Sequence, residues 1–388
     1  HPNLVGATPG KSQSNNSGSD KRELFTLKQS LEIAFHDLMA MPHNVVIQYN
    51  GWEDKVYKRL NEFLNADGKD TYCVFDFDNT CVIHDIQEVT YNYMIDNLVL
   101  KMDKTTFATN LKKDVAGEEK IDKLIENLTK SYDFLYDNYI ENEERDLELI
   151  KATKEYIDFS AELRYLYKYI GVVYDDIIRT VWGTYLFSGF TAEDFKNVGK
   201  LAVESAFNEE LNIEKLQDSK DEVEAVFRRG LRAIPEIEEL IAELRKQGRR
   251  VFIVSASHEE LVKSYACRVL GFADDEVYGM RSKKDSNGVY YGEYEDNYPP
   301  TQNDGKSKLI SQFLVPKFGK GPSFVAGDSN GDSFMMKDFD NTELCLIIDR
   351  NLDGNIAVLK NEIGDKYIVQ GRSEFEGKFI NSRTSIEL

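Results

Sequence analysis

Four near-continuous apolar runs constrain this chain more than any other feature, and each stops at an acid or a hydroxyl. "TYCVFDFDNT" (71–80) runs from Tyr72 to Phe75 and then delivers Asp76 and Asp78. "RRVFIVSAS" (249–257) ends its run at Ser255, and "PSFVAGDSNGD" (322–332) ends at Asp328 with Asp332 four residues on. The fourth run is "ELCLIID" (343–349). A strand that is apolar at successive positions is covered on both faces, as parallel strands under helices are. Amphipathic stretches separate the runs: "EIEELIAELRKQG" (236–248), "HEELVKSYACRVLG" (258–271) and "GKSKLISQFLVPKFG" (305–319). Strands alternating with helices predict an α/β fold, a Rossmann-like parallel sheet with helices on both faces.

The alternation is interrupted just after its first strand. From about 82 to 231 there is no proline, and stretches such as "IDKLIENLTKSYDFLYDNYI", "AEDFKNVGKLAVESAF" and "DEVEAVFRRG" read as helical. The expected organisation is a flexible tether over 1–24, an α/β core over 25–81 and 232–388, and an all-helical cap over 82–231. Two amphipathic helices are expected ahead of the first strand, over "FTLKQSLEIAFHDLM" (25–39) and "WEDKVYKRLNEFLNA" (52–66), and a hairpin around Ser286-Asn287-Gly288.

The formal net charge of −20 over 388 residues excludes nucleic acid and anionic membrane as ready partners. No uncharged apolar run approaches the roughly 18 residues of a spanning helix, so no transmembrane segment is expected. Cys73, Cys81, Cys267 and Cys345 form no CxxC and no metal spacing, and read as free, largely buried thiols. The first residue is His1, and the polar tract "VGATPGKSQSNNSGSD" follows. That combination is read as an exported, tethered chain, with a trimmed cytoplasmic one as the alternative. Sequence says nothing of oligomeric state.

In open parallel sheets the ligand crevice lies outside the carboxyl ends of the strands. There this chain gathers Asp76, Asp78, Asn79, Thr80, Ser255, Asp328 and Asp332, with Lys306 in the first turn of the helix after Gly305. An oxygen-rich anionic nest suits Mg²⁺, and the cation makes the cluster of carboxylates tolerable.

The motifs "DFDNT", "IVSAS", "GKSK" and "GDSNGD", in that order, resemble those of the haloacid dehalogenase superfamily. "IPEIEELIAELRKQGRRVFIVSASHEELV" is similar to its phosphoserine-phosphatase-like branch. "NDGKSKLI" and "VWGTYLFSGFTAEDF" most resemble phosphorylcholine phosphatases. The resemblance implies a Mg²⁺-dependent phosphomonoesterase acting through an aspartyl-phosphate. Asp76 would be the nucleophile and Asp78 the general acid and base. Mg²⁺ would be held by the Asp76 carboxylate, the Asp78 backbone carbonyl and Asp328. Ser255 and Lys306 would bind the phosphoryl oxygens, Asp332 would orient metal waters or the lysine, and Asn79 and Thr80 would support the loop or touch substrate. Lys308 is then a solvated side chain, and Ser257 with Glu260 the capping box of the next helix.

The implied substrate is a small amino-alcohol phosphate, phosphorylcholine first and phosphoserine second. Asp85, with Glu88 as the alternative, would face its cationic end. The cap is rich in tyrosine, and Trp182 and Tyr185 are the candidates for an aromatic contact with that cation. Two other classes compete: a haloacid dehalogenase, which the second aspartate and the metal carboxylate oppose, and a non-catalytic ligand-binding surface protein, which the intact motif set opposes.

Overall fold

The computed structural model describes residues 20–33, 46–142 and 144–388. A helix, α1, spans 20–33, so residues 20–24 are helical where a tether was expected. The rest of the expected tether, and residues 34–39 of the expected first helix, lie outside the described residues. Helix α2 (Asp54–Asn65) starts where the Glu53 carboxylate accepts the Val56 N–H, and it buries Val56, Leu60, Phe63 and Leu64.

The core strand β1 (Tyr72–Phe75) follows, all four residues buried. The chain then leaves the core through β2 (Val82–Ile83). The cap holds α3 (Ile86–Asn97), α4 (Lys104–Lys112), α5 (Glu119–Leu135), α6 (Leu147–Lys151), α7 (Lys154–Val173), α8 (Asp176–Thr184) and α9 (Ala192–Phe207). A hairpin of β3 (Asn212–Gln217) and β4 (Glu224–Arg229) ends it. The return strand β5 (Arg232–Ala233) pairs antiparallel with β2, so the two crossings between cap and core are stitched together.

Beyond the crossing come α10 (Pro235–Lys246), β6 (Arg250–His258), α11 (Glu259–Val269), β7 (Val277–Met280) and the expected hairpin, β8 (Ser282–Lys284) with β9 (Tyr290–Tyr294). Then follow α12 (Asp304–Phe313), α13 (Val315–Phe318), β10 (Phe324–Gly327), α14 (Ser333–Lys337), β11 (Leu344–Ile348), α15 (Asn355–Lys360) and β12 (Tyr367–Gln370). Two short strands, β13 (Arg372–Ser373) and β14 (Lys378–Phe379), close the chain.

The main sheet has the order β12-β11-β10-β1-β6-β7, and its pairings are parallel. This is the expected α/β architecture. Tyr72 and Val74 pack into the apolar cluster on one face with Val254 and Ile347. Cys73 and Phe75 enter the cluster on the other face with Leu60 and Ile253. Each such side chain contributes about 1.5–3 kcal/mol by burial, which is why the runs are apolar at successive positions. The chain winds outward from β1 to β7, then restarts beside β1 and winds the other way to β12. The reversal at β1 opens a crevice where Asp76 leaves the sheet. The cysteines are free thiols, three buried and Cys267 half-buried, and no described helix is long and apolar enough to cross a membrane.

The expected all-helical cap needs one correction. "DEVEAVFRRG" is not a helix but contains β4. Val223, Ala225 and Phe227 are buried in alternation, and this period of two places them against the cap, whereas a helix would scatter them.

The cap also stores a repulsive cluster. Asp158, Glu162 and Asp218 bring carboxylate oxygens within 4.8 Å of one another. Burial, then Asp158 and Asp218, push Glu162 up to about 7. A raised carboxyl pKa stabilises the fold below the unfolded value and loses that contribution as pH climbs through the folded one. Glu162→Gln should therefore raise Tm at pH 8, where the charge is present, by about 2 °C for about 1 kcal/mol. At pH 5 the gain should vanish. Thermal melts at the two pH values check this, and an equal gain at both would refute the charge account.

Candidate active site

At the end of β1 the backbone turns sharply. Asn79 adopts φ +56° and His84 +74°, a left-handed conformation that Asn tolerates best among non-glycine residues. The turn is tied from behind. The Asn79 side-chain carbonyl accepts the His84 N–H at 3.1 Å and the Arg372 Nη1–H at 2.8 Å. Arg372 is fully buried, and burial pulls it down to about 10. Glu374 beside it meets the His84 Nε2, while the His84 Nδ1 faces the Arg229 carbonyl at 3.0 Å. The carboxy-terminal segment thus braces both the turn after β1 and the crossing into the cap.

Asp76 sits in this turn, buried, with Oδ1 2.9 Å from the Lys306 Nζ. Burial first, then Asp332 and Asp328, push its carboxyl upward, and Lys306 opposes them. Lys306 is buried in the first turn of α12, and its second bond, 2.7 Å, goes to the Asp332 Oδ1. That helix start is dense: a Cβ on Gly305 would lie 1.7 Å from the Pro300 carbonyl oxygen, so only glycine fits before the lysine. Lys308 is exposed and pairs with Asp304 at 3.0 Å, the solvated role expected of it.

Asp78 points toward the cap crossing. Its Oδ1 accepts the Ile86 N–H at 2.7 Å and its Oδ2 the Ser257 hydroxyl at 2.5 Å. Burial, with Asp85 adding to it, raises this carboxyl well above the usual range, the state a proton donor requires.

The hydroxyl expectation is corrected by two residues. Ser255 is fully buried and does not line the cavity. Its Oγ accepts the Ser257 N–H, and its carbonyl accepts the Thr301 hydroxyl. β6 runs on to His258 with an irregular register after Val254, and this carries Ser257 to the cavity. The expected capping role of Ser257 passes to His258, whose Nδ1 accepts the Glu260 N–H.

Asp328 accepts the Thr80 hydroxyl at 3.0 Å on one oxygen and the Arg350 Nη1–H at 3.0 Å on the other. Thr80 is fully buried and is not among the residues that line the site cavity; its hydroxyl supports Asp328. Asp332 is also fully buried; its oxygens are committed to Lys306 and to the N–H groups of Asp328 and Ser329. It supports the lysine from within the same acidic cluster as Asp76 and Asp328. Oxygens of Asp76, Asp328 and Asp332 still lie within 4.8 Å of one another. This hard all-oxygen set fits Mg²⁺, with Asp76 and Asp328 as the residues that would hold it. The Asp78 side chain turns away, which leaves its backbone carbonyl as its possible ligand.

Above this floor lies a cavity of about 490 Å³. Asp85 lines it and also caps α3, accepting the Glu88 N–H at 2.9 Å. Burial, then Glu88, push Asp85 up to about 6. Glu88 and Asn79 line the cavity too. Trp182 does not: it is fully buried in the cap core, with Nε1 donating to the Leu111 carbonyl at 3.0 Å. Tyr185 is likewise turned away, its hydroxyl on Asp114. The aromatic wall is instead Tyr91, Tyr167 and Phe227.

Sequence reasoning missed Ser257, Arg350, Arg372, His84 and these aromatics. Arg350 carried a usable signal, since it stands two residues beyond the fourth apolar run, at the same edge of the sheet. Ser257 was visible as a second hydroxyl beside Ser255, but the aromatics carried no signal, because helical spacing alone does not separate a lining tyrosine from a core one.

The family model described as haloacid dehalogenase-like hydrolase matches residues 176–337. No curated protein matches this chain. Among solved structures, a conserved functionally unknown protein from Anaerococcus prevotii DSM 20548 is similar at 27% identity and a TM-score of 0.81, covering 89% of this chain and 100% of that one. A phosphoserine phosphohydrolase-like protein from Francisella tularensis subsp. tularensis SCHU S4 is similar at 11% identity and a TM-score of 0.35, covering 77% of this chain and 94% of that one. A protein with unknown function from Bordetella pertussis Tohama I gives 11%, 0.38, 76% and 97%. The match over residues 176–337 to a haloacid dehalogenase-like hydrolase model agrees with the expectation of an enzyme of this type.

Proposed function

We propose that this chain hydrolyses phosphomonoesters with the Asp76 carboxylate as nucleophile. One observation carries the reading: a buried carboxylate held by a buried lysine, beside a second carboxyl group held by Ser257, on the floor of a cavity. An Asp76 oxygen would form a bond to phosphorus while the bond from phosphorus to the ester oxygen breaks. Asp78 would give its proton to the departing alkoxide. Asp78, now ionised, would take a proton from water as that water attacks the aspartyl-phosphate, releasing phosphate and restoring Asp76. Lys306 offsets charge on the transferring group, and the Ser257 hydroxyl keeps Asp78 in place. Mg²⁺ held by Asp76 and Asp328 would supply further charge neutralisation at the phosphoryl oxygens.

For the substrate, the small amino-alcohol phosphates retain support. Asp85 and Glu88 offer anionic groups where the cap begins, and Tyr91 and Tyr167 offer ring faces beside them. The simplest test is phosphate release from p-nitrophenyl phosphate. Turnover with Mg²⁺ that disappears with chelator and returns on adding the ion is the expected result. A chain that releases no phosphate at any Mg²⁺ concentration would end the proposal.

A further inference from the structure

The cavity roof does not match a purely cationic substrate end. Helix α7 turns Leu163, Arg164, Tyr167 and Lys168 to the cavity, one face at helical spacing. Arg179 joins them from α8. In a chain of net charge −20, these cations are concentrated over a cleft whose floor binds an anion, an arrangement that focuses potential on a ligand.

Their present partners differ. Arg164 is spent: it donates to the Ser160 Oγ at 2.6 Å and the Asn92 Oδ1 at 3.1 Å, and it lies 4.0 Å over the Phe227 ring. Arg179 is not spent. It has one partner carboxylate, the half-exposed Asp176 at 3.3 Å. Its guanidinium sits 5.4 Å from the Tyr167 ring centre, and its buried Nε has no hydrogen-bond partner among the described residues. Lys168 donates only to a neutral group, the Val226 carbonyl. Burial at the cavity, with Arg228 and Arg179 nearby, pulls Lys168 below the usual lysine range while Glu88 opposes. Two cations crowd one another with few counter-charges. Glu88 and Asp85 also line the cavity, but among the described residues neither forms an ion pair with Lys168 or Arg179.

Size adds a second constraint. About 490 Å³ is within the range of roughly 300–1,000 Å³ that accommodates drug-sized ligands, more than a two-carbon amino alcohol fills. The lining also offers apolar and aromatic surface at Tyr91, Ile95, Leu163, Leu186 and Phe227.

We propose that Lys168 and Arg179 form a second anion subsite, so that the preferred substrates are phosphomonoesters carrying a further carboxylate or phosphate on an apolar or aromatic body. This rests on the phosphomonoesterase reading for turnover, but not for binding.

The test compares phenyl phosphate with 4-carboxyphenyl phosphate and 1,4-phenylene bisphosphate. These share one body and differ in the second anion, and the last two separate carboxylate from phosphate. Calorimetric binding to the Asp76→Asn variant with Mg²⁺ needs no chemistry. The two esters with a second anionic group should bind about tenfold or more tightly than phenyl phosphate, and added salt should shrink the difference. In the parent enzyme kcat/KM should follow the same order. The Lys168→Met/Arg179→Met variant should lose the preference, and Arg179→Lys should keep part of it because the charge remains. Equal binding of all three esters, or equal losses on all three in the double variant, would overturn the subsite. Preferential binding without any phosphate release by the parent would leave the subsite standing and remove the phosphatase reading instead.

Discussion

Asp76→Asn should abolish phosphate release, with kcat falling by at least ~10⁴-fold, because the amide cannot form the covalent bond to phosphorus and no neighbour can replace it. Asp78 is held by Ser257 and the Ile86 N–H, and Asp328 by Thr80 and Arg350. The fold should survive the change. Asp76 is buried, and its charge is opposed by Asp332 and Asp328, so a neutral isostere removes a repulsion as it weakens one contact with Lys306. The checks are a melt within a few degrees of the parent and loss of acid-stable phosphate on the chain after quenching with substrate. A variant that melts normally and hydrolyses phosphate esters at the parental rate would place the chemistry elsewhere.

Lys306→Met should damage both stability and activity. The ammonium is buried and bonds two carboxylates, at 2.9 Å and 2.7 Å; both partners hold it strongly in the charged form. Removing one member of a buried ionic set leaves uncompensated charge, at a cost of about 3–5 kcal/mol. Activity should drop by about 10²–10³-fold, the scale for losing one preorganised charge donor. Pairing the change with Asp332→Asn separates the two effects. The double variant removes one of the two stranded charges, so stability should recover by roughly half while activity stays low. Chemical denaturation and phosphate release measure the two separately. If Lys306→Met alone were as stable as the parent, the bridge between Asp76 and Asp332 would not be holding this site together.

The expected α/β sheet and the residues at its carboxyl edge were legible for a local reason. Strands buried on both faces must be apolar throughout, so the break at Asp76 or Asp328 stands out against the run before it. Lys306 was legible because a glycine precedes it at a helix start, and the clash with Pro300 explains why. The reading failed where a side chain's direction depended on distant chain. Ser255 and Ser257 are equally good hydroxyls at the end of one run; the irregular register of β6 beside β7 decides between them. Trp182 looked like a ligand contact because it is large and aromatic, yet Leu111 claims its N–H inside the cap core. In the expected helix "DEVEAVFRRG", charged residues masked a period of two, and pairing with β3 settled it.

The sequence by itself determined which residues could reach one edge of one sheet, because burial writes apolar runs and chemistry interrupts them. Only the tertiary structure decided which of those residues face the cavity, that a carboxy-terminal arginine braces the turn after β1, and that cations roof the site. These outcomes depend on contacts between segments distant in sequence, such as Arg372 with Asn79, 293 residues apart. No local pattern of residues encodes such a contact, since its energy exists only once the chain has closed on itself.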